Sequence, residues 1–526
     1  RQTWHYFETS VTAADHWLPP DHVLDRPKRL AHRTSPTNIG MKLLADLAAA
    51  DLGYLSLSSL LHRVGKTLQT LSTLERYRGH FYNWYNTNSL KPAESRYISS
   101  VDSGNLQGSL VTLQAALEEL RGQEWMPPRI LHGLQDTLAV IEHQRAANHR
   151  LPCDRFAIRL RQLQMECVAD DRPDETKSAR ALCRLLCRIR SQAADLAQIA
   201  DGEPTAVREC VWVFVRQVAE MHRHVAGLAF WAGYLPDDQS RGGSDANACR
   251  CRQRRNQHRL GDTDSSAAED SRRAIIAKFG KEMAQLDRGG SLQELGQLAQ
   301  RVVDAIGGRP PANGDTKCPE MAKNWMLGLR RSALATVKQV REQLRSAERA
   351  IRLCRECAEM DFRFLYHPQR KLLAVGYSVG RHCLDESYYD LLASEARLTS
   401  FFAVCNGQLP LEHWFNLGRS VAVVERSPVL VSWSGSMFEY LMPMLVLPTY
   451  RGTLLDMSCR AAVQRQIRYA AERGVPWGIS ESCHAEVEED ASYCYGPFGV
   501  PGLGFGLEPN DALVVAPYAS ALAAMV

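Results

Sequence analysis

Three glutamates stand where a carboxylate needs either a partner or a task. Glu395 follows Leu391-Leu392-Ala393-Ser394 and precedes Ala396-Arg397-Leu398. Glu439 is enclosed by Met437-Phe438 and Tyr440-Leu441-Met442. Glu481 lies in the loop Val475-Pro476-Trp477-Gly478-Ile479-Ser480-Glu481-Ser482, which carries no apolar stripe. A buried carboxylate is costly unless it is paired. For Glu395 the other reading is a structural ion pair with Arg397 or Arg363. Two carboxyl groups are what glycoside cleavage requires. One protonates the leaving oxygen. The other attacks the anomeric carbon directly at a separation of about 5 Å, or through water at about 6.5–9.5 Å.

The loops around these acids suit a sugar. Trp84 and Tyr85 follow Asn83 in the run GHFYNWYN, Asp102 lies in VDSGN, and Asp390 closes LDESYYD. Trp433 opens WSGSMFEY and Trp477 precedes Glu481. Sugar CH faces stack on aromatic rings, while hydroxyls need Asn, Asp, Arg and Glu. Each residue also has an ordinary reading. Trp84, Trp433 and Trp477 fit a core, and Asp102 fits the N-cap of a helix that begins before Leu106. Asn83, Trp84, Tyr85, Asp102, Asp390, Trp433 and Trp477 are therefore candidate substrate contacts.

Other chemistries lack their marks. There is no Gly-x-Ser-x-Gly elbow, no Walker loop and no His-Glu-x-x-His pair. The run Gly499-Val500-Pro501-Gly502-Leu503-Gly504 is glycine-rich, but its internal Pro and its lack of a βαβ setting argue against a nucleotide fingerprint. His16, His80 and His413 are isolated and read as structural. The 15 cysteines show no repeating spacing. Cys354-x-x-Cys357 and Cys249-x-Cys251 lack a second pair at zinc-ribbon spacing, so reduced thiols are expected, with no metal site. No cofactor is expected either.

Helical periodicity must position these residues. Ser35-Pro36 is a helix start, followed by a stripe at Ile39, Leu43, Leu44 and Leu47 that Gly53 ends. Leu57, Leu60, Leu61, Val64, Leu68, Leu71 and Leu74 mark a second helix. Leu106, Leu110, Leu113, Leu117 and Leu120 mark a third. Further helices are predicted over about 129–148, 177–200, 204–230, 291–306 and 319–360. The stretch 236–273 reads as a mobile polar loop, whose Arg250, Arg252, Arg254, Arg255 and Arg259 read as solvated. Residues 362–377 alternate like a short β-hairpin turning at His367-Pro368. Helices then resume at 388–404, 438–447 and 455–472. The fold class expected is all-α, a toroid of helix pairs with long aromatic loops at one end. The expected divisions are an N-terminal segment with the first barrel helices over 1–124, a helical section over 125–360, and a catalytic section over 361–526.

Composition agrees with a globular chain of 526 residues, 45% hydrophobic and 23% charged. Its net charge of +4 gives no case for nucleic acid or an anionic membrane surface. No signal peptide and no membrane span are read from the sequence. The chain starts at Arg1 and stops at Val526 at the opening of an apolar helix, so it reads as a piece of a longer protein with C-terminal helices missing.

The stretches WHYFETSVTAADHWLPPDH, HRTSPTNIG, YRGHFYNWYNT, SSVDSGNLQGSL, SYYDLLASEARL, SWSGSMFEYLMP, GVPWGISES, FGVPGLG and VVAPYASALAAM resemble the middle, glycoamylase-like region of bacterial cyclic β-1,2-glucan synthases. The resemblance runs from about residue 4 to 526 and is least recognisable over 125–360. It implies an (α/α)6-barrel that cyclises linear β-1,2-glucan by anomer-retaining transglycosylation. It also implies a parent at the cytoplasmic side of the inner membrane, with a glycosyltransferase part before this region and a phosphorylase part after it. Related barrels hydrolyse β-1,2-glucan by inversion, and a non-catalytic glucan-binding or assembly domain is the remaining alternative. Carried onto this sequence, the catalytic acids fall on Glu395 and Glu481, with Glu481 as nucleophile and Glu395 as acid/base, or the reverse. Glu439 is the reserve. Tyr493-Cys494-Tyr495-Gly496-Pro497 departs from the family's more polar stretch before FGVPGLG, as does the acidic segment 484–490.

Overall fold

A computed structural model describes residues 1–25, 28–120, 122–126, 129–147, 154–168, 178–234, 265–307, 320–487, 493–505 and 513–526. Helix dominates among them, as the apolar spacing predicts, with only seven small sheets of two or three strands. The all-α class holds at this level. No helix among the described residues is long and apolar enough to cross a membrane.

The chain divides into two compact units that are discontinuous in sequence. One comprises residues 1–8, 45–65 and 115–351, and the other 9–44, 66–114 and 352–526. All five switches fall inside helices, namely Gln2–Ser10, Pro36–Asp51, Leu57–Leu71, Ser100–Glu119 and Glu320–Ala358. No Pro- or Gly-rich linker marks such a boundary.

The first unit is a helical body. Its helices include Ile130–Ala147, Arg155–Cys167, Ala179–Ile199, Thr205–Leu228 and Leu292–Gly307. Their apolar faces meet in one core containing Leu134, Leu186, Phe214, Trp231 and Leu298. Asp287 is a buried hub of this unit. It accepts from Trp231 Nε1 at 2.8 Å, Ser178 Oγ at 2.6 Å and the Arg180 backbone N–H at 3.1 Å. A buried carboxylate with several donors is satisfied rather than costly. The helices Arg155–Cys167 and Ser265–Leu286 were not foreseen. The second corrects the expected loop, since residues 265–273 are helical. The rest of that loop, with Arg250, Arg252, Arg254, Arg255, Arg259 and Cys249-x-Cys251, lies outside the described residues.

The second unit sets short strands and loops on helices. The expected hairpin is present: Tyr366–His367 pairs antiparallel with Leu372–Ala374, in the register Tyr366↔Leu373. Leu372–Ala374 also pairs with Tyr388–Tyr389. Ser100 N and Ser100 Oγ donate to the carbonyls of Val375 and Ala374, which pins the start of the helix Ser100–Glu119 to this sheet. That helix meets Arg397–Cys405 closely. A Cβ on Gly104 would lie 1.9 Å from Thr399 Oγ1, so only glycine fits there. Leu430, Met437, Tyr440, Leu441, Ala462 and Leu503 form the core beneath the loops.

Candidate active site

Glu395 is not on a helix. Residues 392–396 are bends and turn, and the helix starts only at Arg397. Tyr388–Tyr389 is a strand, so the helix expected over 388–404 is corrected to Arg397–Cys405. A strand entering from the sheet wins over the helical spacing of Leu392 and Leu398. Arg397 does not pair with Glu395 among the described residues. Its buried guanidinium donates to the carbonyls of Ser394 at 3.0 Å, Glu439 at 2.8 Å and Tyr440 at 2.6 Å. Arg363 sits instead beside Asp361. The Glu395 side chain therefore lies deep with no ion pair among the described residues, although its charge and that of Arg397 act on each other, and it keeps some accessible surface. Burial first, then the charges of Glu481, Glu439 and Asp102, push its carboxyl well above the ordinary value.

Glu481 is held by three layers of contact. Gln466, on the helix Leu454–Arg473, clamps the Ile479 backbone with Nε2→O at 2.7 Å and N→Oε1 at 2.8 Å. Ser480 Oγ accepts from Phe438 N and from Tyr518 OH. Tyr518 OH also lies 2.6 Å from the Glu481 carbonyl. The Glu481 carboxylate has a donor on each oxygen, Ser436 Oγ on Oε1 at 3.2 Å and Tyr495 OH on Oε2 at 2.5 Å. Burial raises its pKa, and the Tyr495 hydrogen bond opposes that rise most strongly.

Glu439 is of a different kind. It is 5% exposed and closes a capping box with Ser436 on the short helix Met437–Leu441. Its oxygens accept from the backbone N–H groups of Trp433, Ser434 and Ser436 and from the hydroxyls of Ser432, Ser434 and Ser436. A carboxylate so fully used has little left for substrate.

The remaining candidates separate. Trp433 is 49% exposed. It donates Nε1 to Asp390 Oδ1 at 3.0 Å and lies beside the exposed ring of Phe505, centroids 6.0 Å apart. Asp102 faces the same neighbourhood as Glu395 and accepts from Thr37 Oγ1 at 2.6 Å. It is not the N-cap: the helix begins at Ser100, and Ser99 Oγ accepts from Asp102 N. Trp84 is half-buried with the Arg33 guanidinium over its ring at 4.8 Å. Asn83 is half-buried, and its Oδ1 has no hydrogen-bond partner among the described residues. Tyr85 is 1% exposed, and its hydroxyl donates to the Glu75 carbonyl and accepts from Tyr82 N. Trp477 is half-buried against the core. Three tyrosines escaped the sequence reading: Tyr389, Tyr495 and Tyr518. Burial raises all three phenols, and the charges of Glu395 and Glu481 add to this. No spacing rule singles out a tyrosine that meets an acid only through the fold.

The glycine-rich run has a structural use. Ser432 N donates to Leu503 O, Phe505 N to Ser432 O, and Val500 N to Gly435 O. It buttresses the loop that carries Trp433. The histidines are structural as read: His80 bonds Ser103 Oγ and the Asp361 carbonyl, and burial lowers its pKa to about 4. Cys354 and Cys357 are buried, which pushes their thiols up to about 12 and about 11, away from redox reactivity.

Sequence comparison adds the ancestry of this arrangement. The chain is 34% identical over 536 aligned residues to the cyclic β-(1,2)-glucan synthase NdvB of Rhizobium meliloti (strain 1021). The chain is similar throughout to one segment of a cyclic β-(1,2)-glucan synthase. The match covers 100% of this chain and 15% of that synthase. The stretch 125–360, least recognisable by motif, is thus inside the synthase match. No protein-family model matches the chain.

Proposed function

We propose that this segment cyclises linear β-1,2-glucan by anomer-retaining transglycosylation within a larger synthase. One observation carries the reading. Glu395 and Glu481 come from separate segments, yet the charge of Glu481 acts on the Glu395 carboxyl. Their surroundings differ in the sense that an acid and a nucleophile need. Glu395 makes no ion pair among the described residues, and burial with the charges of Glu481 and Glu439 favours its protonated form. Glu481 accepts from the Tyr495 phenol, with the Ser436 hydroxyl in reach of its other oxygen, and both favour its anion.

In the first step Glu395 protonates the leaving glycosidic O2 while a Glu481 oxygen attacks the anomeric carbon, giving a glucosyl-enzyme. In the second, the now ionised Glu395 takes the proton of the 2-hydroxyl at the non-reducing end of the same chain. That oxygen displaces Glu481, and the ring closes with retention. The exposed Trp433 ring and Asp390 offer a sugar-binding platform, with Asp102 a further contact. Glu439 is better read as the residue that positions loop 433–436 than as a catalytic acid. The helical scaffold reads as an (α/α)6 toroid. We place the segment at the cytoplasmic side of the inner membrane, with glycosyltransferase and phosphorylase parts as neighbours in the parent.

Incubation of the full chain with linear β-1,2-glucan tests this. Products one water lighter than the linear glucan of equal length are expected. Linear, water-added products of inverted anomer overturn it in favour of an inverting hydrolase. Glu395→Gln and Glu481→Gln should each lower the rate by about 10²–10⁴-fold while glucan binding persists. Unchanged rates in both variants point to a non-catalytic glucan-binding domain.

A further inference from the structure

The strand Ser482–Val487 begins immediately after Glu481 and pairs antiparallel with Tyr493–Gly496, in the register Ser482↔Gly496 and Cys483↔Tyr495. Side chains two apart on a strand share a face. Tyr495 opposite Cys483 is therefore the diagonal neighbour of Glu481, within reach of a long side chain. The phenol uses that reach and donates to Glu481 Oε2.

The other donor is contested. Ser436 Oγ lies 3.2 Å from Glu481 Oε1 and 3.2 Å from Glu439 Oε2. A hydroxyl has one proton, so it serves one of these oxygens at a time. Among the described residues Tyr495 OH has Glu481 as its hydrogen-bond acceptor. Tyr495 is desolvated at its hydroxyl end but 61% exposed as a whole residue, so packing of its ring does not explain its placement.

We propose that Tyr495 is a positioning residue for Glu481: its phenol holds one carboxylate oxygen, orienting the group and favouring the anion that attacks the anomeric carbon. This rests on Glu481 being the nucleophile. Removing the donor leaves burial and the Glu439 charge to raise the Glu481 pKa further. The acid limb of the rate profile then moves to higher pH.

Tyr495→Phe in the full chain tests it, with linear β-1,2-glucan as substrate and kcat and KM measured across pH. The acid limb of kcat/KM should move up by roughly one unit, about a tenfold loss on its acidic side, with KM nearly unchanged. As an activity-independent readout, a cyclitol epoxide that esterifies the nucleophile should label Glu481 with the same displaced pH dependence. An unmoved limb with unmoved labelling overturns the proposal, and so does a uniform loss that tracks reduced thermal stability. Glu481→Gln separates the two layers. If that variant stays active, the nucleophile assignment has failed. If it is dead while Tyr495→Phe leaves the profile unmoved, only the role of Tyr495 has failed.

Discussion

Glu439 and Glu481 share one hydroxyl: Ser436 Oγ is 3.2 Å from Oε2 of the first and 3.2 Å from Oε1 of the second. Glu439 has five further donors, so the structure can give the Ser436 proton to Glu481 without orphaning its neighbour. Glu439 and Glu481 are thereby linked through a single side chain.

Glu439→Gln turns an acceptor into a donor facing three backbone N–H groups. Buried donors left without acceptors cost about 1–3 kcal/mol each. A loss of roughly 2–4 kcal/mol is expected in a denaturant titration. A loss below about 1 kcal/mol would show that the loop does not depend on this carboxylate.

Glu395 makes stability depend on pH. Its folded pKa lies above the ordinary value of 4.5, so the folded state holds a proton that the unfolded chain has released. Stability then falls as pH rises from the unfolded value through the raised folded one. Glu395→Gln removes the ionisation and keeps the shape. Its melting temperature should exceed that of the parent by a margin that widens as pH rises above the unfolded value of 4.5. A constant margin would mean that Glu395 is not held protonated.

Trp433 is half-exposed and anchored through Asp390, so its loss should touch binding before stability. Trp433→Ala is expected to raise KM for linear β-1,2-glucan about tenfold, roughly 1.4 kcal/mol, with unfolding free energy changed by less than about 1 kcal/mol. Asp390→Asn should act on the same term, giving less than additive loss in the double variant. Additive losses would separate the two residues.

A Cβ at Gly499 would lie 1.8 Å from the Ser434 carbonyl oxygen, in the loop that cradles Glu439. Gly499→Ala must move backbone and should cost about 3 kcal/mol or more. Gly452 has φ +76° but nothing near its Cβ position. Gly452→Ala carries only left-handed strain, about 1 kcal/mol. Equal losses in thermal unfolding would remove close packing as the reason for Gly499.

The helices Pro36–Asp51, Leu57–Leu71, Ser100–Glu119 and Thr205–Leu228 are legible in the spacing of their leucines, isoleucines and valines, because an apolar stripe at 3.6 residues per turn must be buried whatever it meets. The three glutamates are legible too, since a carboxylate in an apolar or Gly/Ser setting calls for an explanation. What the amino-acid order leaves open is which explanation each one has. Glu439 and Glu481 sit in similar Ser/Gly/aromatic runs, yet three N–H groups converge on the first and a phenol on the second. Strand pairing brings Tyr495 to Glu481, and close approach of two helices at Gly104 sets Thr399, just past Glu395, against the turn that begins with Ser100. Local chemistry is written residue by residue. Donor count, desolvation and shared charge exist only once distant segments meet, so only the tertiary structure decides which acid is fully held by donors and which has its carboxyl pushed upward.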